Sequence, residues 1–434
     1  MSEEDLKILS CHFTWGLEKE NADLNFLDVK ICERLAVQCE YKENVQQREY
    51  NFLAYIKHLQ GVNDEALKNL ELAIKEHTGD EKNLIVTYGN LAWLHSVMGN
   101  VAEAKSYVEK VKDIFRAFPT PSPTDLHREV QSEKAWSLLK FSRKSYIRAK
   151  EIFFEALQKD ADDQEWNTGL AFALFRLEGL EVGEVRRVRF EESPAVVQLK
   201  RALKLHPDNA MIHVYLGLKC YKNTRNTEAW EYMRKALKMA PDNLGVVLHV
   251  AKFMKKEQCY DMALEVLLRM LRKAPDSSRL HHEIANNYRW KAMQMKDTHN
   301  PRLLSLCIQH LEKGASLNPG FIYPQLELAL RYAEAKQSQK AEHKFQELVA
   351  LPDLKPADRQ AWHRMYGDFH LYRLGSEAAA VEHYKQGMML RRVSTEWNIC
   401  KNRLKKVLQR DRRDTYQIKK FFDSLKTENL SAAE

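Results

Sequence analysis

Trp136 and Lys140 stand one helical turn apart, so on a helix they share a face. Tyr146 opens the segment after them, and Arg176 lies in the helical pattern after that. A flat aromatic face beside mobile cations suits a nucleobase with its phosphates: the ring stacks, and the ammonium and guanidinium meet the charge. The residue types leave two readings open, since such a tryptophan serves equally as packed core or as a stacking platform. The basic word Arg186, Arg187 and Arg189 is likewise either a solvated hairpin or a gate for nucleic acid.

The elements that must position these side chains are announced by three prolines. Pro207, Pro241 and Pro275 recur at one constant interval in the words HPDN, APDN and APDS. That interval, about 34 residues, is the period of the tetratricopeptide repeat, a helix–turn–helix unit that must stack on its neighbours to bury its apolar face. With Pro241 at repeat position 32, Gly217, Ala229, Met233 and Ala236 fall at positions 8, 20, 24 and 27. Ala54, Ala66, Leu70 and Ala73 mark an earlier unit, Ala92, Ala104, Val108 and Val111 another, and Ala149, Phe153 and Ala156 a third. Later units carry Ala285 and Tyr288, then Ala329, Tyr332, Ala341 and Phe345, then Gly367, Ala380, Tyr384 and Gly387. In this register Lys57 and Lys140 occupy position 11, ordinarily an aromatic core position. A lysine there either carries its ammonium out to water or lines a concave cavity where a polyanion meets it.

The expected fold is all-α: a tetratricopeptide-repeat superhelix, an α-solenoid of about nine helix–turn–helix repeats with a non-repeat N-terminal helix and a basic C-terminal helix. The segments are residues 1–45 as a helical cap, 46–195 as N-terminal repeats with a basic insert loop at 178–195, 196–275 as central repeats, 276–390 as C-terminal repeats, and 391–434 as a basic helix and tail. Between Arg391 and Lys420 eleven Lys/Arg face three Asp/Glu, an excess of +8 that equals the net charge of the whole 434-residue chain. The rest of the chain therefore balances, and an anion site among its first 390 positions must come from local arrangement.

Several function classes are read against. No Walker loop, GxSxG, HExxH or CxxC word occurs, and His281–His282 are adjacent instead of one turn apart, so neither an enzyme nor a metal site is expected. Seven scattered cysteines without zinc spacing read as reduced core thiols of a cytoplasmic protein. No apolar run approaches the roughly 18 residues that a membrane span needs, so none is expected. The N-terminus MSEEDLKILS is acidic and polar, so a secretory leader is not expected either. The rival to nucleic-acid binding is a scaffold that takes peptide in its concave groove.

The words CHFTW (11–15), NFLAYIKHLQG (51–61), EKAWSLLKF (133–141), VAKF (250–253) and LHHEI (280–284) resemble the interferon-induced proteins with tetratricopeptide repeats, the IFIT family, from about residue 11 to 410. The resemblance implies an interferon-induced antiviral protein of the cytoplasm. Such a protein encloses the 5′ end of single-stranded RNA, as a triphosphate or a cap lacking 2′-O-methylation, in a basic channel and blocks its translation. It further implies that Trp136 stacks on the cap, that Lys140 and Arg176 bind phosphate beside Tyr146, and that Lys30 and Arg34 meet the terminal phosphates. Lys255 would meet the RNA backbone, His282 the sugar and Asn209 the first nucleotides, and Lys57 is grouped with these outer contacts. No cofactor is expected beyond a Mg²⁺ accompanying the RNA phosphates. The partners are single-stranded RNA and, as the family allows, a second copy or a relative in a hetero-oligomer. The chain departs from the family pattern at Glu283, usually glutamine, at Leu248–His249, usually arginine–tyrosine, and at Met211, usually aromatic. Phe26 stands where some members have an acid that holds a metal, with Asp28 close by.

Overall fold

A computed structural model describes residues 6–37, 45–122, 125–180, 189–296, 300–352, 354–390, 394–409 and 415–431, and these contain helices and no strand. The chain falls into two compact units, Met1–Phe253 with Arg272–Pro275 and Met254–Leu271 with Asp276–Glu434.

In the first unit the helices are α1 (Leu24–Ala36), α2 (Val45–Leu59), α3 (Asn63–Lys75), α4 (Ile85–Val97), α5 (Val101–Ala117), α6 (Arg128–Phe141), α7 (Tyr146–Lys159), α8 (Gln164–Leu180), α9 (Pro194–Leu205), α10 (Ala210–Lys222) and α11 (Asn226–Met239), ending within α12 (Leu244–Lys256). From α2 onward they pack as consecutive antiparallel pairs, α2 with α3 through α10 with α11. The small residues at the repeat positions permit this approach. Ala66, Ala73, Ala149, Ala229 and Ala236 are all buried, as are the larger Leu70, Phe153 and Met233 between them. At Gly169 of α8 an added Cβ would lie 2.2 Å from the Phe153 ring, so only glycine lets α7 and α8 meet there. The recurring proline words have a physical cause as well. Asn209, Asn243 and Ser277, at the ends of HPDN, APDN and APDS, accept backbone N–H groups at the start of the next helix.

Within residues 1–45 the described stretch, 6–37, holds the expected non-repeat helix as α1 (Leu24–Ala36). Before α1 the chain forms two 3-10 turns, His12–Thr14 and Lys19–Asn21, with Gly16 at positive φ between them. Cys11, His12 and Trp15 are buried. The His12 amide donates to Asn90 Oδ1 on α4 (3.1 Å), and its Nε2 pairs with Ser137 Oγ on α6 (2.9 Å). A continuous helix would carry these side chains past their partners. The core-thiol reading holds for Cys11, Cys220, Cys307 and Cys400, but Cys32 is exposed, with its Sγ against Asp28. Cys39 and residues 181–188, with Arg186 and Arg187, lie outside the described residues.

The second unit begins in α12 and holds α13 (Tyr260–Leu271), α14 (Ser278–Gln294), α15 (Pro301–Leu317), α16 (Ile322–Glu334), α17 (Ser338–Val349), α18 (Pro356–Phe369), α19 (Glu377–Met389), α20 (Glu396–Leu408) and α21 (Thr415–Ser431). The wider spacing between Pro275 and Pro319 goes partly into longer helices, 17 residues in α14 and α15 against 13 in α10. The basic tail is amphipathic. Cys400, Leu404, Val407 and Ile418 enter a core with Ala380, Tyr384 and Met388, while Lys405 and Lys406 stay exposed. No described helix is long and apolar enough to cross a membrane.

Candidate nucleic-acid interface

The arrangement in the first unit is built on a carboxylate that periodicity does not reveal. Glu49 of α2 is 2% exposed, and its two oxygens hold Arg34 of α1 and Lys140 of α6, the latter at 2.5 Å. Burial pushes the Glu49 carboxyl up, but the adjacent Arg34 and Lys140 hold it below the usual range. Lys140 is drawn down by its own burial against the attraction of Glu49. Three helices thus converge two cations on one buried anion.

A second carboxylate anchors the aromatic. Glu165 of α8 accepts Trp136 Nε1 at 3.0 Å and Arg48 Nη1 at 2.7 Å, and Arg48 also reaches Ser132 Oγ at 2.9 Å. The Trp136 indole is half-buried and sits edge-to-face on Phe153 (5.2 Å) and Phe172 (6.0 Å), which fixes its plane. Between the two anchors Glu133 accepts from Asn51 Nδ2 at 2.9 Å. Its own burial pushes that carboxyl up to about 7. Arg176 donates to the Leu139 carbonyl, one of the unpaired carbonyls of the last turn of α6, and its guanidinium lies 5.5 Å from the centre of the Tyr146 ring.

The aromatic surface continues along successive helices. Phe172 meets Tyr215 at 4.6 Å, Phe175 stacks on Tyr215 at 4.3 Å, and Tyr215 meets His249 at 6.1 Å. Burial lowers His249 to about 4, with nearby Lys252, Lys30 and Arg176 opposing a further positive charge. At neutral pH the imidazole is uncharged, its Nδ1–H donating to the Gly245 carbonyl (2.7 Å).

The sequence-derived candidates therefore divide. Trp136, Lys140, Tyr146, Arg176 and Arg34 share one cluster, and Lys30, with its ammonium over the Phe26 ring at 5.9 Å, lies within electrostatic reach of its His249 end. Lys57 does not join them, because its ammonium is held between Asp28 (2.9 Å) and Glu65 (2.8 Å). Asn209 uses its side-chain oxygen to cap α10. In the second unit Lys255 is paired with the buried Glu283, and His282 Nε2 lies 3.1 Å from Glu327. Sequence reasoning missed Arg48, Glu49, Glu133, Glu165 and the Phe172–Tyr215–His249 row. The usable signal was a run of polar residues, Gln47, Arg48, Glu49 and Asn51, inside a helix whose other face is apolar. Among the described residues no group of three or more His, Cys, Asp or Glu is placed to hold a metal ion.

No protein-family model matches the chain. It is 33% identical over 426 residues to human IFIT1 homolog B, covering 94% of this chain and 88% of that protein. The chain belongs to the IFIT family. Human IFIT1, described as an antiviral innate immune response effector, is 31% identical over 94% of this chain and 87% of its own. Two solved structures are also similar over 94% of this chain and 90% of theirs. One is the human IFIT1 dimer with PPP-AAAA (TM-score 0.71, 31% identity), the other the human IFIT1 dimer with m7Gppp-AAAA (TM-score 0.72, 30% identity). Against that IFIT frame, the Glu283 departure is compensated within this chain, since Lys255 neutralises the carboxylate.

Proposed function

We propose that this IFIT protein captures the 5′ end of single-stranded foreign RNA, as a triphosphate or a cap lacking 2′-O-methylation, and sequesters it from translation. The observation that carries the reading is the cluster in the first unit, where Arg34, Lys140, Arg48 and Arg176 converge around the helix that carries Trp136. Human IFIT1 with PPP-AAAA and with m7Gppp-AAAA supports the choice of ligand.

A triphosphate brings several negative charges into a partly desolvated space, so several cations must already be in place. Glu49 and Glu165 keep those cations from being mutually repulsive before RNA arrives. Arg34, Arg48, Lys140 and Arg176 outnumber the three carboxylates Glu49, Glu133 and Glu165, so net positive charge remains for phosphate. Trp136 offers a base or cap guanine a face whose tilt is locked by Phe153 and Phe172. Contacts to phosphate and sugar carry no base code, so binding tolerates any sequence, and close packing about a 2′-hydroxyl rejects its methylated form. In this reading no cofactor resides in the protein, and any Mg²⁺ arrives with the RNA phosphates. The protein acts by binding alone and not as an enzyme, in the cytoplasm, by itself or assembled with a second copy or a relative.

The test compares 5′-triphosphate, capped and 5′-hydroxyl RNA of one sequence at stated ionic strength. Triphosphate RNA is expected to bind more tightly than hydroxyl RNA, with affinity falling as salt rises in proportion to the phosphates engaged. Equal affinity for the two ends would overturn end recognition and favour a peptide-binding scaffold.

A further inference from the structure

In the second unit the C-terminal ends of α14 and α16, the start of α15 and the turn after α18 enclose a cavity of about 190 Å³. Its walls carry three guanidinium groups, Arg289, Arg331 and Arg373, and one carboxylate, Glu334, beside Tyr288 and Cys307. Arg331 is 4% exposed. Its Nη1 meets Glu334 at 2.7 Å, and the same carboxylate takes Arg373 at 3.0 Å. The acid that Arg289 reaches among the described residues is Glu327 at 4.0 Å, already paired with His282. The Nε atoms of both Arg289 and Arg331 are buried without a hydrogen-bond partner among the described residues. Cys307 supplies no negative charge, since burial pushes its thiol up to about 12. Burial and the neighbouring Arg289 bring Arg331 down to about 10, the response of a cation whose surroundings are short of anions.

We propose that this cavity is a binding site for a terminal phosphate or pyrophosphate group, separate from the Trp136 cluster. A phosphate has enough charge and acceptor oxygens to engage three planar forks at once, which a single carboxylate has not. The size limits what carries it. The volume lies below the ~300 Å³ typical of a whole small-molecule site, so it admits a phosphate head and excludes a polynucleotide passing through. The group comes either from a small phosphorylated compound or from an RNA 5′ end.

The experiment titrates the full chain with inorganic pyrophosphate and, in a second arm, with a 5′-phosphorylated tetranucleotide, at constant ionic strength. Phosphorus NMR and calorimetry read the binding. Saturable pyrophosphate binding is expected, retained in Lys140→Met and weakened about tenfold in Arg373→Gln and Arg289→Gln. The tetranucleotide responding to the same two arginines assigns the RNA end as the source, and pyrophosphate alone assigns a small compound. A measurement on the unaltered chain stands beside these variants: pyrophosphate should protect Arg289 and Arg373 from phenylglyoxal modification. Absence of saturation, or loss of binding in Lys140→Met but not in the arginine variants, overturns the proposal.

Discussion

Replacing Glu49 by glutamine keeps the shape of the side chain and removes the charge shared by Arg34 and Lys140. Stripping the partner from a fully buried ion costs ~3–5 kcal/mol. Lys140 and Arg34 keep 22% and 32% of their side chains exposed, so water relieves part of that cost and about 2 kcal/mol remains. For a unit of this size the loss corresponds to a fall in Tm of ~4–8 °C. The same energy then works in favour of an anion that replaces the carboxylate. When a 5′-triphosphate neutralises Arg34 and Lys140, the penalty of the free protein is relieved on binding, and affinity should rise by ~10–30-fold. Thermal melts with and without triphosphate RNA, joined to direct titration, measure both sides of this balance. A variant that is as stable as the parent, or that binds RNA less tightly, would refute the view that Glu49 holds the place of the ligand's charge.

Three further outcomes follow from the same geometry. Trp136→Ala removes a stacking face worth ~1–3 kcal/mol, so capped RNA should lose about tenfold or more and triphosphate RNA less; competition binding with both ends tells them apart. Glu283→Gln releases the Lys255 ammonium from its buried partner, and longer RNA should bind more tightly, with the slope of log K against log salt steeper by about one. Glu133 has a folded pKa of about 7, above its ordinary 4.5, so its contribution to stability is present below pH 4.5 and is lost as pH rises through 7. Glu133→Gln should therefore gain on the parent between pH 5 and pH 8 by roughly 1–3 kcal/mol in chemical denaturation.

The repeat architecture was legible because it rests on local, periodic causes. A small residue where two helices touch, a large one between repeats and, at three successive turns, a proline with a capping Asn or Ser recur with the repeat period, and Ala229, Met233, Ala236 and Asn209 sit as that logic requires. Trp136 and Lys140 share a face for the same local reason, one helical turn. The course of the chain before α1 was not legible, because CHFTW is shaped by partners far along the sequence, Asn90 and Ser137.

What tertiary structure alone decided is which charges are spent and which remain. A one-dimensional pattern marks Lys57 and Lys140 as equivalent, both lysines at an aromatic position. Three-dimensional packing places Lys57 between two carboxylates on neighbouring helices and Lys140 beside one that Arg34 already shares. Electrostatic energy depends on distance through space and on burial, not on separation along the chain. Glu49 and Lys140 are 91 residues apart in sequence and 2.5 Å apart in the fold.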